Sequence, residues 1–179
     1  MEIIEIENRS IQFGSFEITD VDKLSYYLNN LSNESKGRFG PHAFTCEAIS
    51  ELYKDANNYK LFTAKTIDED DVIAYTIIKL GWLHFEIPRL SSYGLKEEPF
   101  DCTLAPSVAD AWQGCGIGTR FLSYLIKTLK TEYQLKRIFL WGGVQSDNTK
   151  AVNLYKKFGF APLGYFEYHG WNVDMLLNL

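Results

Sequence analysis

The run Gln113-Gly114-Cys115-Gly116-Ile117-Gly118-Thr119 sets three alternating glycines between an extended segment and an amphipathic one. Upstream, Cys102-Thr103-Leu104-Ala105-Pro106-Ser107-Val108 reads as a strand. From Thr119 onward Phe121, Leu122, Leu125, Ile126 and Leu129 recur at helical spacing. Glycines alternating at a helix start let several backbone N–H groups turn toward one point, with no Cβ in the way. Those donors and the positive end of the helix dipole make an anion site suited to a pyrophosphate. The chemistry implied is the binding of a phosphorylated cofactor. Two nucleotide readings fit it poorly. A dinucleotide-binding turn needs GxGxxG and an acid roughly twenty residues on, at the end of the next strand. Here the run is GxGxG, with Glu132 still in the helix and Asp147 beyond the following strand. A Walker A loop ends in Gly-Lys-Ser/Thr, which Gly118-Thr119-Arg120 does not supply.

A second block separates these readings from a third. Arg137-Ile138-Phe139-Leu140-Trp141 reads as the next strand, and Asn148 to Phe160 fits N-x2-A-x2-L-Y-x3-G-F through Ala151, Leu154, Tyr155 and Gly159. Together with Val-x4-Gln-Gly-x-Gly-Ile-Gly from Val108, this resembles the acyl-CoA-binding region of the GCN5-related N-acetyltransferase (GNAT) superfamily. The resemblance is clear from about Cys102 to Phe166 and architectural before that. It implies an α/β (α+β) fold with a mixed central sheet, splayed central strands and helices on both faces. It also implies acetyl-CoA as co-substrate.

Acetyl transfer from a thioester to an amine needs a bound donor, an oxyanion partner, an amine lacking its proton and a stabilised leaving thiolate. The resemblance places Val108 on a splayed strand, where unpaired backbone groups meet the pantetheine arm and its N–H serves as an oxyanion donor. It wraps Gln113, Gly114, Cys115, Gly116, Ile117, Gly118 and Thr119 around the pyrophosphate. Asn148 would reach the pantetheine amide; the alternative is a helix N-cap, and one side chain can do both. Tyr155 is the candidate for stabilising the thiolate, against the alternative of a ring packed beside Leu154 and Phe158. A thiol near ~8.5 is a stronger acid than a phenol near ~10, so full proton transfer is uphill by roughly 2 kcal/mol; a hydrogen bond demands less. Cys115 sits at a helix start, but the pyrophosphate takes that place, so the reaction expected is direct attack in a ternary complex.

The base is the open position. A lysine-like amine costs on the order of 4–5 kcal/mol to neutralise at pH 7, an α-amino group only about 1. Asp101, Glu97, Glu98 and His84 are candidates, but a solvated surface charge, or for His84 a satisfied histidine, is the preferred reading of each; none is assigned. His42, His84 and His169 have no ligand spacing, so no metal is implied. The segment Ser35 to His42 carries Lys36, Arg38 and His42, which suit a phosphate or carboxylate, or form only a structured surface loop. It is faintly similar to acetyltransferases that act on amino sugars. The acceptor expected is a small-molecule amine, with an amino sugar or its nucleotide derivative ahead of polyamines, amino acids and antibiotics. A non-catalytic acyl-CoA sensor or docking module of the same fold is the alternative.

These residues need a scaffold, and 179 residues with 46% apolar content suffice for one domain spanning 1–179. A formal charge of −5 argues against a nucleic-acid partner. The acidic start and the lack of a long apolar run argue against a signal peptide and a membrane span. Cys46, Cys102 and Cys115 are odd and scattered, which suits a reducing cytoplasm. Oligomeric state is not readable. Pattern predicts a first strand over Ile11–Ile18, then a helix capped by Thr19 or Asp20 and a loop over Ser32–Pro41. A helix capped by Thr45 follows. Strands Tyr59–Thr66 and Val72–Leu80 follow, joined by the acidic turn Asp68–Asp71, read as solvated. Gly81–Phe100 reads as a long loop or short extra strand. After the central strand come a helix to about Tyr133, a strand over Arg137–Val144 and a helix over Thr149–Phe158. Strands Leu163–His169 and Trp171–Leu177 close the chain.

Overall fold

A computed structural model describes residues 1–179. The chain forms two compact units, Met1–Ile78 with Ala105–Leu125, and Lys79–Leu104 with Ile126–Leu179.

In the first unit β1 (Glu2–Ile6) and β2 (Arg9–Ser15) form an antiparallel hairpin, and β2 runs antiparallel to β3 (Tyr59–Thr66), which neighbours β4 (Val72–Leu80). The first strand expected over Ile11–Ile18 therefore starts and ends earlier, and β1 precedes it. Only Ile6 of β1 is buried, so backbone pairing forms this strand without an apolar alternation to announce it. Three helices follow β2: α1 (Val21–Asn29), α2 (Asn33–Arg38) and α3 (Cys46–Lys54). Asp20 takes the N-cap position of α1 without a capping bond; its carboxylate accepts from Lys65 Nζ at 2.7 Å instead. Thr45 caps α3 as expected, accepting from Ala48 N–H at 3.3 Å. The expected loop Ser32–Pro41 contains α2, which Ser32 Oγ caps by accepting from Ser35 N–H at 3.1 Å. That helix buries no side chain, so it carries no periodicity to read. The acidic turn joins β3 to β4, where Asp70 pairs with Lys23 and Lys65, and hydrogen bonds first from Lys23 and then from Lys65 lower its carboxyl. The core of this unit closes on Phe13, whose ring lies 5.3 Å from Phe121 and 5.7 Å from Tyr124, both on α5 (Ile117–Thr131). Each such buried ring contributes on the order of 2–3 kcal/mol.

In the second unit the first half of β5 (Asp101–Val108) runs parallel to β6 (Arg137–Leu140), and β6 runs antiparallel to β9 (Trp171–Asn178). β7 (Val144–Gln145) and β8 (Ala161–Glu167) also pair antiparallel with β9. Parallel and antiparallel ladders mix, as the α/β expectation required. The β5–β6 ladder runs from Asp101↔Arg137 to Leu104↔Leu140 and stops there, although β5 continues to Val108. The strand expected over Arg137–Val144 is broken after Leu140, because Gly142 and Gly143 adopt φ +66° and +69°. Helix α6 (Thr149–Lys157) matches its expected span to within a residue. The segment Gly81–Phe100 is neither a bare loop nor a strand. A 3-10 turn at His84–Glu86 leads into α4 (Ile87–Ser92), with Pro88 in its first turn, where its missing N–H is not needed. Trp82 and Leu90 pack there with Phe139 and Leu176, giving the insertion an apolar anchor. No helix is long and apolar enough to cross a membrane.

Candidate active site

The glycine loop is built on the end of β5. Val108 is its last residue and is partly buried; a 3-10 turn at Asp110–Trp112 then leads to Gln113. Gly114 and Gly116 adopt φ +87° and +92°, a region that side-chain-bearing residues reach only with strain. A Cβ added at either would meet no atom within 4 Å, so the glycines serve backbone geometry and leave space above the loop. Arg120 N–H donates to Gly116 O at 3.1 Å, which makes Gly116 the residue that opens α5. A glycine there offers no side chain to cap the helix. The first-turn N–H groups, those of Ile117, Gly118 and Thr119 among them, therefore have no intrahelical acceptor. Ile117 is fully buried and anchors the turn, while Thr119 is exposed. Cys115 is a free thiol and donates to Trp112 O at 2.9 Å.

A polar clamp fixes the approach to this loop, and its centre, Asp110, was not singled out from the sequence. Ser32 N–H and Ser32 Oγ donate to the Asp110 carboxylate at 2.8 Å each, and Ser35 Oγ donates at 2.6 Å. Those bonds, from Ser35 first and then Ser32, hold the Asp110 carboxyl below its ordinary range. Gln113 Nε2 donates to Val108 O at 3.2 Å and to Ser35 Oγ at 3.4 Å. Pairing between residues far apart in sequence leaves no local signal, which is why Asp110 escaped notice.

The other two expected site residues share α6. Asn148 is its N-cap, with Oδ1 accepting from Ala151 N–H at 3.2 Å, so the capping alternative holds and the amide NH2 remains a donor. Tyr155 is 7% exposed, with its ring 5.4 Å from that of Phe160. Burial pushes its phenol well above the ordinary value. Proton transfer to a thiolate is therefore still further uphill than in water, and the hydrogen-bonding role is the one its environment allows.

The base candidates are mostly committed elsewhere. Asp101 is 2% exposed and receives Arg137 Nε and Nη2 at 2.7 Å each, with Glu98 N–H at 2.9 Å. Glu97 accepts from Trp82 N–H at 2.7 Å, Glu98 pairs with Arg137 at 3.2 Å, and His84 is exposed. The basic segment is likewise engaged. Arg38 pairs with Glu34 at 3.2 Å, and Lys36 Nζ donates to Asn29 O at 2.6 Å. His42 Nδ1–H donates to Ala43 O at 2.7 Å and its Nε2 accepts from Tyr75 Oη at 3.0 Å. Burial lowers its pKa, so the neutral ring is favoured. No group of three or more His, Cys, Asp or Glu side chains is arranged to hold a metal. One buried carboxylate, Glu86, is held at the Gly142 turn by that backbone N–H at 2.7 Å. Sequence offered no sign of it, since an acid in an irregular segment reads as solvated.

Comparison with known proteins now gives the class. A sequence model described as the acetyltransferase (GNAT) family matches residues 28–160. An N-alpha-acetyltransferase of Sulfurisphaera tokodaii is 26% identical over 164 residues, covering 91% of this chain and 88% of that protein. The GNAT domain of S. lividans PAT superposes with a TM-score of 0.75 at 16% identity, covering 99% of this chain and 96% of that one. The spermidine N-acetyltransferase from Vibrio cholerae, solved in complex with CoA and spermine, gives a TM-score of 0.69 at 19% identity, covering 94% and 95%. The chain belongs to the acetyltransferase (GNAT) family.

Proposed function

We propose that this protein is an acetyl-CoA-dependent N-acetyltransferase that acetylates a small primary amine by direct attack in a ternary complex. The observation that carries the reading is the uncapped start of α5, where Gly114 and Gly116 keep φ positive and the first-turn donors have no intrahelical acceptor. Gln113 to Thr119 would hold the pyrophosphate there. Val108 would take the pantetheine arm along the part of β5 beyond its β6 ladder, in the manner of an added strand. The Asn148 amide NH2 would donate to a pantetheine carbonyl while its oxygen caps α6. Acetyl-CoA supplies the thioester whose carbonyl the neutral amine attacks; the C–S bond breaks as the C–N bond forms, and the proton shed by the nitrogen passes through solvent to the leaving thiolate. Tyr155 donates a hydrogen bond to that developing charge from its place on α6.

The acceptor class follows from what remains available. Lys36, Arg38 and His42 are occupied within their own segment, which gives an anionic sugar nucleotide little to bind. None of the four base candidates offers a buried, unpaired carboxylate, which favours amines that need little help losing a proton, such as α-amino groups. The relative from Sulfurisphaera tokodaii, named an N-alpha-acetyltransferase, points the same way. Three free cysteines suit a reducing cytoplasm. The test incubates the protein with acetyl-CoA and a panel of α-amino, polyamine and amino-sugar acceptors while free thiol is followed. Thiol release with at least one primary amine is expected; release with none would remove the proposal.

A further inference from the structure

We propose that Glu86 is a positioning residue for the cofactor: its carboxylate holds the Gly142–Gly143 turn at which β6 ends. The proposal rests on the acetyl-CoA reading above.

Glu86, Arg89 and Tyr93 recur at i, i+3 and i+7, which aligns them along one face of the turn and helix His84–Ser92. Glu86 is 1% exposed, and its Oε1 accepts from Gly142 N–H at 2.7 Å and from Arg89 Nη2 at 3.0 Å. Arg89 in turn grips Asp174 of β9 with Nε at 2.7 Å and Nη2 at 3.2 Å, and Tyr93 Oη donates to the same carboxylate at 2.9 Å. The Arg89 guanidinium also lies 3.9 Å from the centre of the Phe166 ring.

The place of this cluster in the sheet gives it a task. Pairing of β6 with β9 ends at Phe139↔Leu176, and β9 is paired again only at Val144↔Val173 of β7. Gly142 lies in that gap, and its N–H, which β9 does not take, would be stranded without the carboxylate. A Cβ on Gly143 would lie 2.8 Å from the Phe166 ring, so the second residue of the turn is pinned as well. Residues 81–100 therefore furnish, through side chains, the partner that the sheet lacks where β6 turns away toward Asn148 and α6.

The cluster has one guanidinium for two carboxylates, and Glu86 Oε2 is buried with no hydrogen-bond partner. Burial first of all, and then Asp174, push the Glu86 carboxyl up to about 7, against the pull of Gly142 N–H and Arg89. A proton would add at Oε2, because Oε1 already accepts two donors. The bond from Gly142 would survive in geometry but fall from charge-assisted to neutral, and the turn would loosen. The direction for stability is opposite. A carboxyl raised above its unfolded value binds more protons in the folded state, so its contribution to stability declines as pH rises from the ordinary carboxylate range to about 7. Affinity for cofactor should rise across the upper part of the same window.

The experiment measures CoA binding by calorimetry from pH 6 to 8 for the wild type and Glu86→Gln, with steady-state kinetics in parallel. The variant is the reference because the cofactor's own phosphate monoester takes a proton near pH 6. Between pH 8 and 6 the wild-type Kd should weaken about three- to tenfold more than that of E86Q, as expected when one charge-assisted bond becomes neutral. KM for acetyl-CoA should move with it, and kcat at saturation much less. Parallel pH profiles for the two proteins would overturn the proposal. Should E86Q show no cooperative melt, the wild type alone decides with dephospho-CoA, which lacks the titrating phosphate. Weakening at low pH supports the proposal and a flat profile overturns it. A wild type that binds no CoA at any pH removes the acetyl-CoA reading itself.

Discussion

The glycine loop Gln113–Thr119 and the insertion Gly81–Phe100 hold backbone N–H groups by opposite means. The loop leaves donors open by removing side chains, since Gly114 and Gly116 keep positive φ and Gly116 cannot cap α5. The insertion closes donors with side chains, with Glu97 on Trp82 N–H, Asp101 just beyond it on Glu98 N–H and Glu86 on Gly142 N–H. Open donors beside a helix dipole suit an anion that arrives and leaves. Closed donors tied into ion pairs suit a part that must not move. Open and closed donors thus fall to different segments.

Breaking the closed set should cost most. Asp101→Ala removes the buried carboxylate that holds the Arg137 guanidinium through two 2.7 Å bonds, leaving it only Lys96 O and the exposed Glu98. Loss of a buried pair costs about 3–5 kcal/mol, so the melting temperature should fall sharply. Below the transition kcat should stay near wild type; a collapsed kcat at unchanged melting temperature would instead mark Asp101 as the base. Breaking the open set comes next. Gly116→Asp combines strain at φ +92° with a negative charge at the anion site, and acetyl-CoA affinity should drop about 100-fold by calorimetry. Affinity near wild type would mean that the loop is not the cofactor site. Tyr155→Phe should lower kcat about 10- to 100-fold while KM for acetyl-CoA changes less than about twofold, as for a bond made only to developing charge. An unchanged kcat would leave Tyr155 as packing against Phe160. The smallest effect belongs to Ser35→Ala, which removes the 2.6 Å bond to Asp110 and the longer one from Gln113. Cofactor KM should rise roughly two- to tenfold; no change would show that the loop keeps its shape without this clamp.

The same contrast explains what could be read from sequence. The loop was legible because Gly114 and Gly116 hold positive φ, a conformation that calls for glycine, and glycine spacing is a local signal. Helices α5 and α6 and strands β3 and β4 were legible through apolar periodicity, since each has a face in a core. β1 and α2 were not, because both are stabilised mainly by backbone pairing or capping and bury almost nothing. The break in the expected strand Arg137–Val144 falls at Gly142, whose N–H donates to Glu86, and at Gly143, where a Cβ would strike Phe166, both residues distant in sequence. Asp110 and Glu86 stayed hidden for that reason too. Asn148 was read with both of its alternatives, and the cap is the one found.

The cofactor reading stands or falls on whether the first-turn amides of α5 receive the pyrophosphate. Amide chemical shifts of the 15N-labelled protein, followed while CoA is titrated, test it most directly. The largest changes should fall on Gly114 and on Gly116 to Thr119, with Gly116→Asp abolishing them. Saturable CoA binding that leaves those amides unmoved would contradict it.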